Sequence, residues 1–311
     1  MIRQLFLHTF LLITAVLPSF SANAEQNKNP SYSVIPVLCI SNDRISPEWK
    51  AALTSRMSKE ELDSVSAMTR PINPGEERWM NLIKARAGVW SRYIDSLKKP
   101  FSNCELPATL YVYMGYSGLD DAFTYQYNTV CLDLTAFQLN YGEAGLPENT
   151  NRIDRIFAHE LTHLMHKDWA RRHQYRAADF RDSVLWECLY EGIGMYRSLH
   201  PQWLPVNHAL PQVSRTALDE LIPVFVDNLI EVHTSPILDA AARKRITASL
   251  SRGRVQKKWG AFTVAIWLAM EANGDYSKLA SWIDMGPEAI IGLAKKYLPD
   301  HQKEKFVTVL K

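Results

Sequence analysis

The sequence predicts an α+β protein, with a small β-sheet lobe first and a predominantly helical C-terminal lobe after it. Two observations carry this expectation. The β-branched and aromatic runs TLYVYM at residues 109–114 and TVCLDL at 129–134 both fall in the first half of the chain, and such runs suit a pleated, partly buried surface. From residue 151 onward the apolar positions recur at helical spacing, punctuated by Pro201, Pro205, Pro211, Pro236 and Pro287. Strands followed by helices, rather than alternating with them, read as α+β. An apolar content of 47% with 22% charged residues belongs to a globular chain. A net charge of +2, with no basic run interleaved with aromatics, gives no reason to expect nucleic acid or an anionic membrane surface as a partner.

Taken in order, residues 1–24 read as a secretory signal peptide. Arg3 supplies the positive start, residues 5–16 the apolar stretch, and Ala22-Asn23-Ala24 the small-x-small cleavage pattern. Cleavage after Ala24 implies a periplasmic or secreted protein with no stable membrane insertion. Residues 25–150 form the mixed N-terminal lobe. Its polar residues 25–33 are expected to be loose, and residues 34–40 have strand character. Residues 47–97 carry helical spacings (Trp49, Leu53, Met57; then Trp79, Ile83, Ala87, Trp90) in two stretches parted by Pro71, Pro74 and Gly75. Gly115, Gly118 and Asp120-Asp121 supply turn chemistry between the two later strands. Residues 151–311 are the helical lobe. Cys39, Cys104, Cys131 and Cys188 permit two disulfides in any of three pairings, and without a C-x-x-C spacing they do not suggest a cysteine zinc site.

The chemistry is carried by Ala158-His159-Glu160-Leu161-Thr162-His163. On a helix, residues four apart stand one turn above each other, so both imidazoles can reach one metal ion. A carboxylate one position after the first His projects beside that face and can act as general base. Asn151 is the expected N-cap, with Asp154 at N3. Ile153, Ile156, Phe157, Leu161 and Leu164 form the apolar stripe flanking the His face.

A catalytic zinc site commonly takes three protein ligands. His166 follows His163 by three residues and points away from a shared metal position, so it is expected in a supporting or surface role. Residues 182–198 (DSVLWECLYEGIGMYRS) form a second helix with Glu187 and Glu191 one turn apart. Either can face the metal helix; Glu191 is the preferred third ligand. Gly192 and Gly194 follow it, and two glycines inside a helix suggest a close-packing requirement.

His159-Glu160-x-x-His163 followed by Glu191-Gly192-Ile193-Gly194 resembles the gluzincin metallopeptidases over roughly residues 105–200. With 28 residues from His163 to Glu191, it looks closer to a bacterial group of zinc-dependent proteases known mainly by prediction than to the aminopeptidase branch. The resemblance implies a zincin-like catalytic domain and one zinc ion per chain held by His159, His163 and Glu191. It also implies Glu160 as the base and a peptide or protein substrate lying along the strand at 129–134. Met195 stands where some gluzincins have an Asp that orients a metal-binding His, so Glu187 or Asp182 is expected to provide that support. Tyr196 is the first candidate for stabilising an oxyanion, ahead of His200, His208 and His233. The alternatives are a zinc amidase acting on cell-wall peptides and an exported, non-catalytic binding protein.

Overall fold

The computed structural model describes residues 31–235 and 237–310, so the leader expected at 1–24 lies outside the described residues. Strand β1 (Ser33–Leu38) runs into a small antiparallel ribbon of β2 (Ile40–Ser41) and β3 (Arg44–Ile45). Helices α1 (Pro47–Leu53), α2 (Lys59–Ala67) and α3 (Pro74–Lys98) then make the crossover that a parallel neighbour requires. Strands β4 (Thr109–Gly115), β5 (Ala122–Tyr125) and β6 (Thr129–Asp133) complete a four-stranded sheet of order β1-β4-β6-β5. β4 is parallel to both β1 and β6, whereas β5 is antiparallel to β6 and forms one edge.

The sheet is covered on both faces, which is why β6 is buried at every position. Val130 and Leu132 point into the main core, while Cys131 turns to a smaller cluster with Trp49, Leu53, Leu62 and Phe123 under α1 and α2. This corrects one expectation. The segment at 129–134 is an interior strand, and the edge on that side of the sheet is β5, a four-residue strand read from sequence as part of a turn. Ala122-Phe123-Thr124-Tyr125 is too short to show a period of two, and only its pairing with β6 defines it.

Past α4 (Leu134–Tyr141) the chain enters α5 (Pro147–Arg172) and α6 (Phe180–Ser198). α5 starts earlier than expected. Pro147 sits in its first turn, where a missing N–H costs nothing, and Leu146 offers no side-chain cap. Asn151 is therefore inside the helix. Asp154 instead accepts from Arg86 Nε at 2.8 Å and Trp90 Nε1 at 2.7 Å, which ties α5 to α3. The remaining helices are α7 (Gln212–Thr234), α8 (Ala240–Ala248), α9 (Ala261–Ala272), α10 (Ala280–Asp284), α11 (Ala289–Tyr297) and α12 (Asp300–Val309).

α6 lies between α5 and α9, and glycines set the α6–α9 spacing. A Cβ at Gly192 would sit 2.5 Å from Val264 Cγ1, and one at Gly260 would sit 2.7 Å from Cys188 Sγ. Both contacts advance by four residues together, so α6 and α9 run parallel. One core extends from Tyr32 to Leu310 and crosses position 150 without interruption. All four cysteines are buried free thiols. No helix among the described residues is long and apolar enough to cross a membrane.

Candidate metal centre

One turn of α5 brings His159 Nε2 to 2.9 Å from His163 Nε2, with the ring planes at 87°. α6 crosses in front of them. Glu191 Oε2 is 3.6 Å from His159 Nε2, and Glu191 Oε1 is 3.6 Å from His163 Nε2. Glu160 is buried, and its carboxylate lies with the two imidazole nitrogens in a group whose members are within 4.8 Å of one another. Gly194 permits this approach. A Cβ there would stand 3.0 Å from His159 Cε1 and 3.1 Å from His163 Cε1, so any side chain at 194 presses on both rings.

These residues suit a divalent cation. Two imidazole nitrogens and a carboxylate are donors that zinc takes, and two bonds of about 2.0–2.1 Å at a tetrahedral angle separate their nitrogens by about 3.3 Å. The observed 2.9 Å is within a small ring rotation of that value. Ser198 settles the His159 tautomer. Its hydroxyl donates to Met195 O at 3.2 Å, so its oxygen accepts from His159 Nδ1–H at 3.1 Å and leaves Nε2 with a free lone pair facing the centre. Tyr190 stacks on His163, centroids 4.0 Å apart and planes 9° apart, and fixes that ring from its face.

The electrostatics single out Glu160 and the two imidazoles. Burial pushes the Glu160 carboxyl up to about 7, with the Glu191 and Asp121 charges adding to it and His159 opposing. A carboxyl that titrates near neutrality can both take and return a proton. Burial, with His159 and His166 nearby, holds His163 well below the usual histidine range and so keeps it neutral. Burial alone would lower His159 too, but Glu191 and Glu160 raise it above its ordinary value.

No protein-family model, curated protein or solved structure matches this chain.

The structure brings together four of the five residues singled out from sequence: His159, Glu160, His163 and Glu191. It does not bring Tyr196 to them. Five residues past Glu191 is about 140° further round a helix, and Tyr196 is buried edge-on against Tyr276, centroids 5.6 Å apart. His200, His208 and His233 are exposed. Glu187, the alternative ligand, accepts from Ser251 Oγ at 2.6 Å, and Asp182 is engaged with the backbone of Ala178 and with Arg181. Neither supports a metal-site histidine. His166 is fully buried rather than at the surface, and neither ring nitrogen has a hydrogen-bond partner among the described residues.

Sequence reading missed three groups. Ser198 was detectable in principle, because it sits seven residues past Glu191 on the same helix face. Tyr190 immediately precedes the ligand candidate. Lys258, just before α9, has no signal in its neighbourhood and is brought in by the packing of Gly260 on Cys188. Its ammonium lies within electrostatic reach of Glu191, Asp121 and His159. Burial lowers its pKa, and the two carboxylates oppose that shift.

Proposed function

We propose that the chain is a zinc-dependent hydrolase of peptide bonds, built on a zincin-like arrangement, with Glu160 as general base. The observation that carries this reading is the convergence of His159 Nε2, His163 Nε2 and the Glu191 carboxylate on one point, with a buried carboxylate beside it. A structural metal site has no use for a second, proton-exchanging carboxylate; a hydrolytic one requires it. His159, His163 and Glu191 would hold the zinc, which when bound polarises the scissile carbonyl and acidifies water.

The chain's own residues supply the rest. Ser198 keeps His159 in the tautomer that presents Nε2. Glu160 takes a proton from the attacking water and delivers it to the leaving amine, which its near-neutral titration allows. Lys258 provides positive potential against the oxyanion that develops on the carbonyl. β5 leaves one row of backbone groups unpaired beside α5, so an extended substrate can add to the sheet there. An antiparallel edge strand beside the H-E-x-x-H helix supports the zincin-like reading and the likeness to gluzincins.

The deciding experiment is elemental analysis of the purified protein, wild type beside Glu191→Ala, followed by peptide-library cleavage with Glu160→Gln as control. About one zinc per chain, lost in Glu191→Ala, with cleavage abolished but zinc retained in Glu160→Gln, is the expected result. A chain that takes up no zinc when offered it is not this enzyme.

A further inference from the structure

An open groove of about 870 Å³ lies between the β5–β6 turn, the C-terminal half of α5, the α5–α6 connection and the middle of α6, and it reaches as far as Tyr190, the ring stacked on His163. Its aromatic wall is a continuous ladder. Tyr175 stacks on Trp186 at 4.9 Å, Trp186 meets Tyr190 at 5.6 Å, and Tyr190 stacks on His163. These three rings are engaged with one another, so apart from the exposed Tyr127 at the rim the chemistry the groove offers to a ligand comes from its charges. Lys167, Arg171 and Arg176 line it, and no carboxylate does. Arg171 is already held by Asp168 at 2.7 Å. Lys167 donates only to Thr124 Oγ1, and Arg176 makes no ion pair or hydrogen bond among the described residues. Arg176, unpaired among the described residues, and Lys167, whose charge is opposed by buried Glu160 alone among the carboxylates, therefore face a groove that begins one ring away from His163.

We propose that this groove is a specificity subsite for acidic side chains of a peptide substrate, with Lys167 and Arg176 as the recognising cations. Three features favour a peptide. Thr124, the partner of Lys167, belongs to the edge strand that can pair with an extended backbone. The turn that follows β5 forms the groove's rim through Gln126. The groove also begins at Tyr190, which touches the metal-site His163. A substrate strand lying on β5 thus delivers its side chains past Lys167 and out toward Arg176. The peptide character of the occupant rests on the hydrolase reading; the preference for negative charge does not.

The test separates the two. Fluorescein-labelled octapeptides of alternating Ala and Glu, Ala and Gln, or Ala and Lys are titrated into the Glu160→Gln protein, and binding is followed by anisotropy at low and at physiological salt. The Glu probe is expected to bind about tenfold more tightly than the Gln probe at low salt, with the gap narrowing as salt screens it. Arg176→Glu is exposed and removes no packing, so it keeps the fold. It should erase most of that preference, and Lys167→Met should erase part of it. Lys84→Glu, an exposed lysine of α3 outside the groove, should leave it unchanged. Equal binding of the Glu and Gln probes, absence of binding by all three, or a preference that survives Arg176→Glu overturns the proposal. Selective binding of the Glu probe without cleavage of any peptide by the wild type would retain the subsite and reject the hydrolase.

Discussion

His166 is three residues past His163 on α5, yet its surroundings are aromatic rather than metallic. Phe101 meets its ring edge-on at 4.9 Å, and Trp186 and Tyr190 cover its other sides. Burial, helped by the nearby Arg197 charge, pushes its pKa down to about 3. Between that value and about 6.5 the unfolded chain binds a proton here that the folded chain does not, so unfolding gains as pH falls through this window. At pH 4 the expected cost is on the order of 3 kcal/mol. His166→Phe should therefore lose about that much less stability than wild type between pH 7 and pH 4, read from urea unfolding at both; parallel losses would show that the ring is not titrating as argued. Lys258 makes a second prediction at this scale. Lys258→Met should lower kcat by about 10–100-fold at unchanged zinc content, whereas a fall in zinc content would make it a support of the ligands instead. The H-E-x-x-H residues were legible because their spacing is itself the geometry, one turn of one helix. Lys258 was not, because a cation brought in by packing leaves no local pattern, and Ser198 shares the Glu191 face but the sequence does not say that its hydroxyl meets His159 across the helices.

The elements that matter most are α5 and α6, and the two glycines of α6 do different work. Gly194 faces His159 and His163, whereas Gly192 faces Val264 of α9. Sequence reading recognised that two glycines in one helix imply close packing, but it could not say against what, since two positions apart on a helix means nearly opposite faces. Gly194→Ala should weaken zinc binding by tenfold or more with little change in the metal-free melting temperature, because the imidazoles rather than the backbone must give way. Gly192→Ala should instead destabilise the fold by about 1–3 kcal/mol while binding zinc normally, because the added methyl meets the branched Val264 side chain. Competition with a zinc-binding dye and thermal melts of both variants check the pair, and exchanged phenotypes would refute the assignment. The strands show the same boundary of legibility. β4 and β6 were evident from composition, but which strand borders the α5 cleft depends on sheet order, and β5 exists as a strand only because β6 is there to pair with it.

For the molecule as a whole, the expected division at residue 150 marks a change of composition rather than a gap in the core, which runs through it. The α+β character was readable because strand-forming and helix-forming runs are segregated along the chain. The continuity of the main core was not, because α3 and α5 are joined by contacts such as Arg86–Asp154 between residues 68 apart. The candidate centre sits within this continuous core, with two nitrogens from α5, which packs on the sheet side, and one carboxylate from α6, which packs on α9. A cation held there would tie the two sides together and, because its ligands come from two helices, would bind the folded chain in preference to the unfolded one. Its effect on stability follows mass action, about 4 kcal/mol at a free concentration a thousand times Kd. For a chain of this size that corresponds to a rise in Tm on the order of 10 °C. The wild type should show this shift on adding zinc to chelator-stripped protein. Glu160→Gln should show it too, because the base is not a ligand, and Glu191→Ala should lose most of it. A full shift in Glu191→Ala would mean that Glu160 rather than Glu191 completes the site with the two histidines. Glu160 would then be unavailable as a base, and the centre would be structural. The comparison of these three melts therefore decides which carboxylate completes the site, and so whether Glu160 is left free to serve as a base, before any substrate is known.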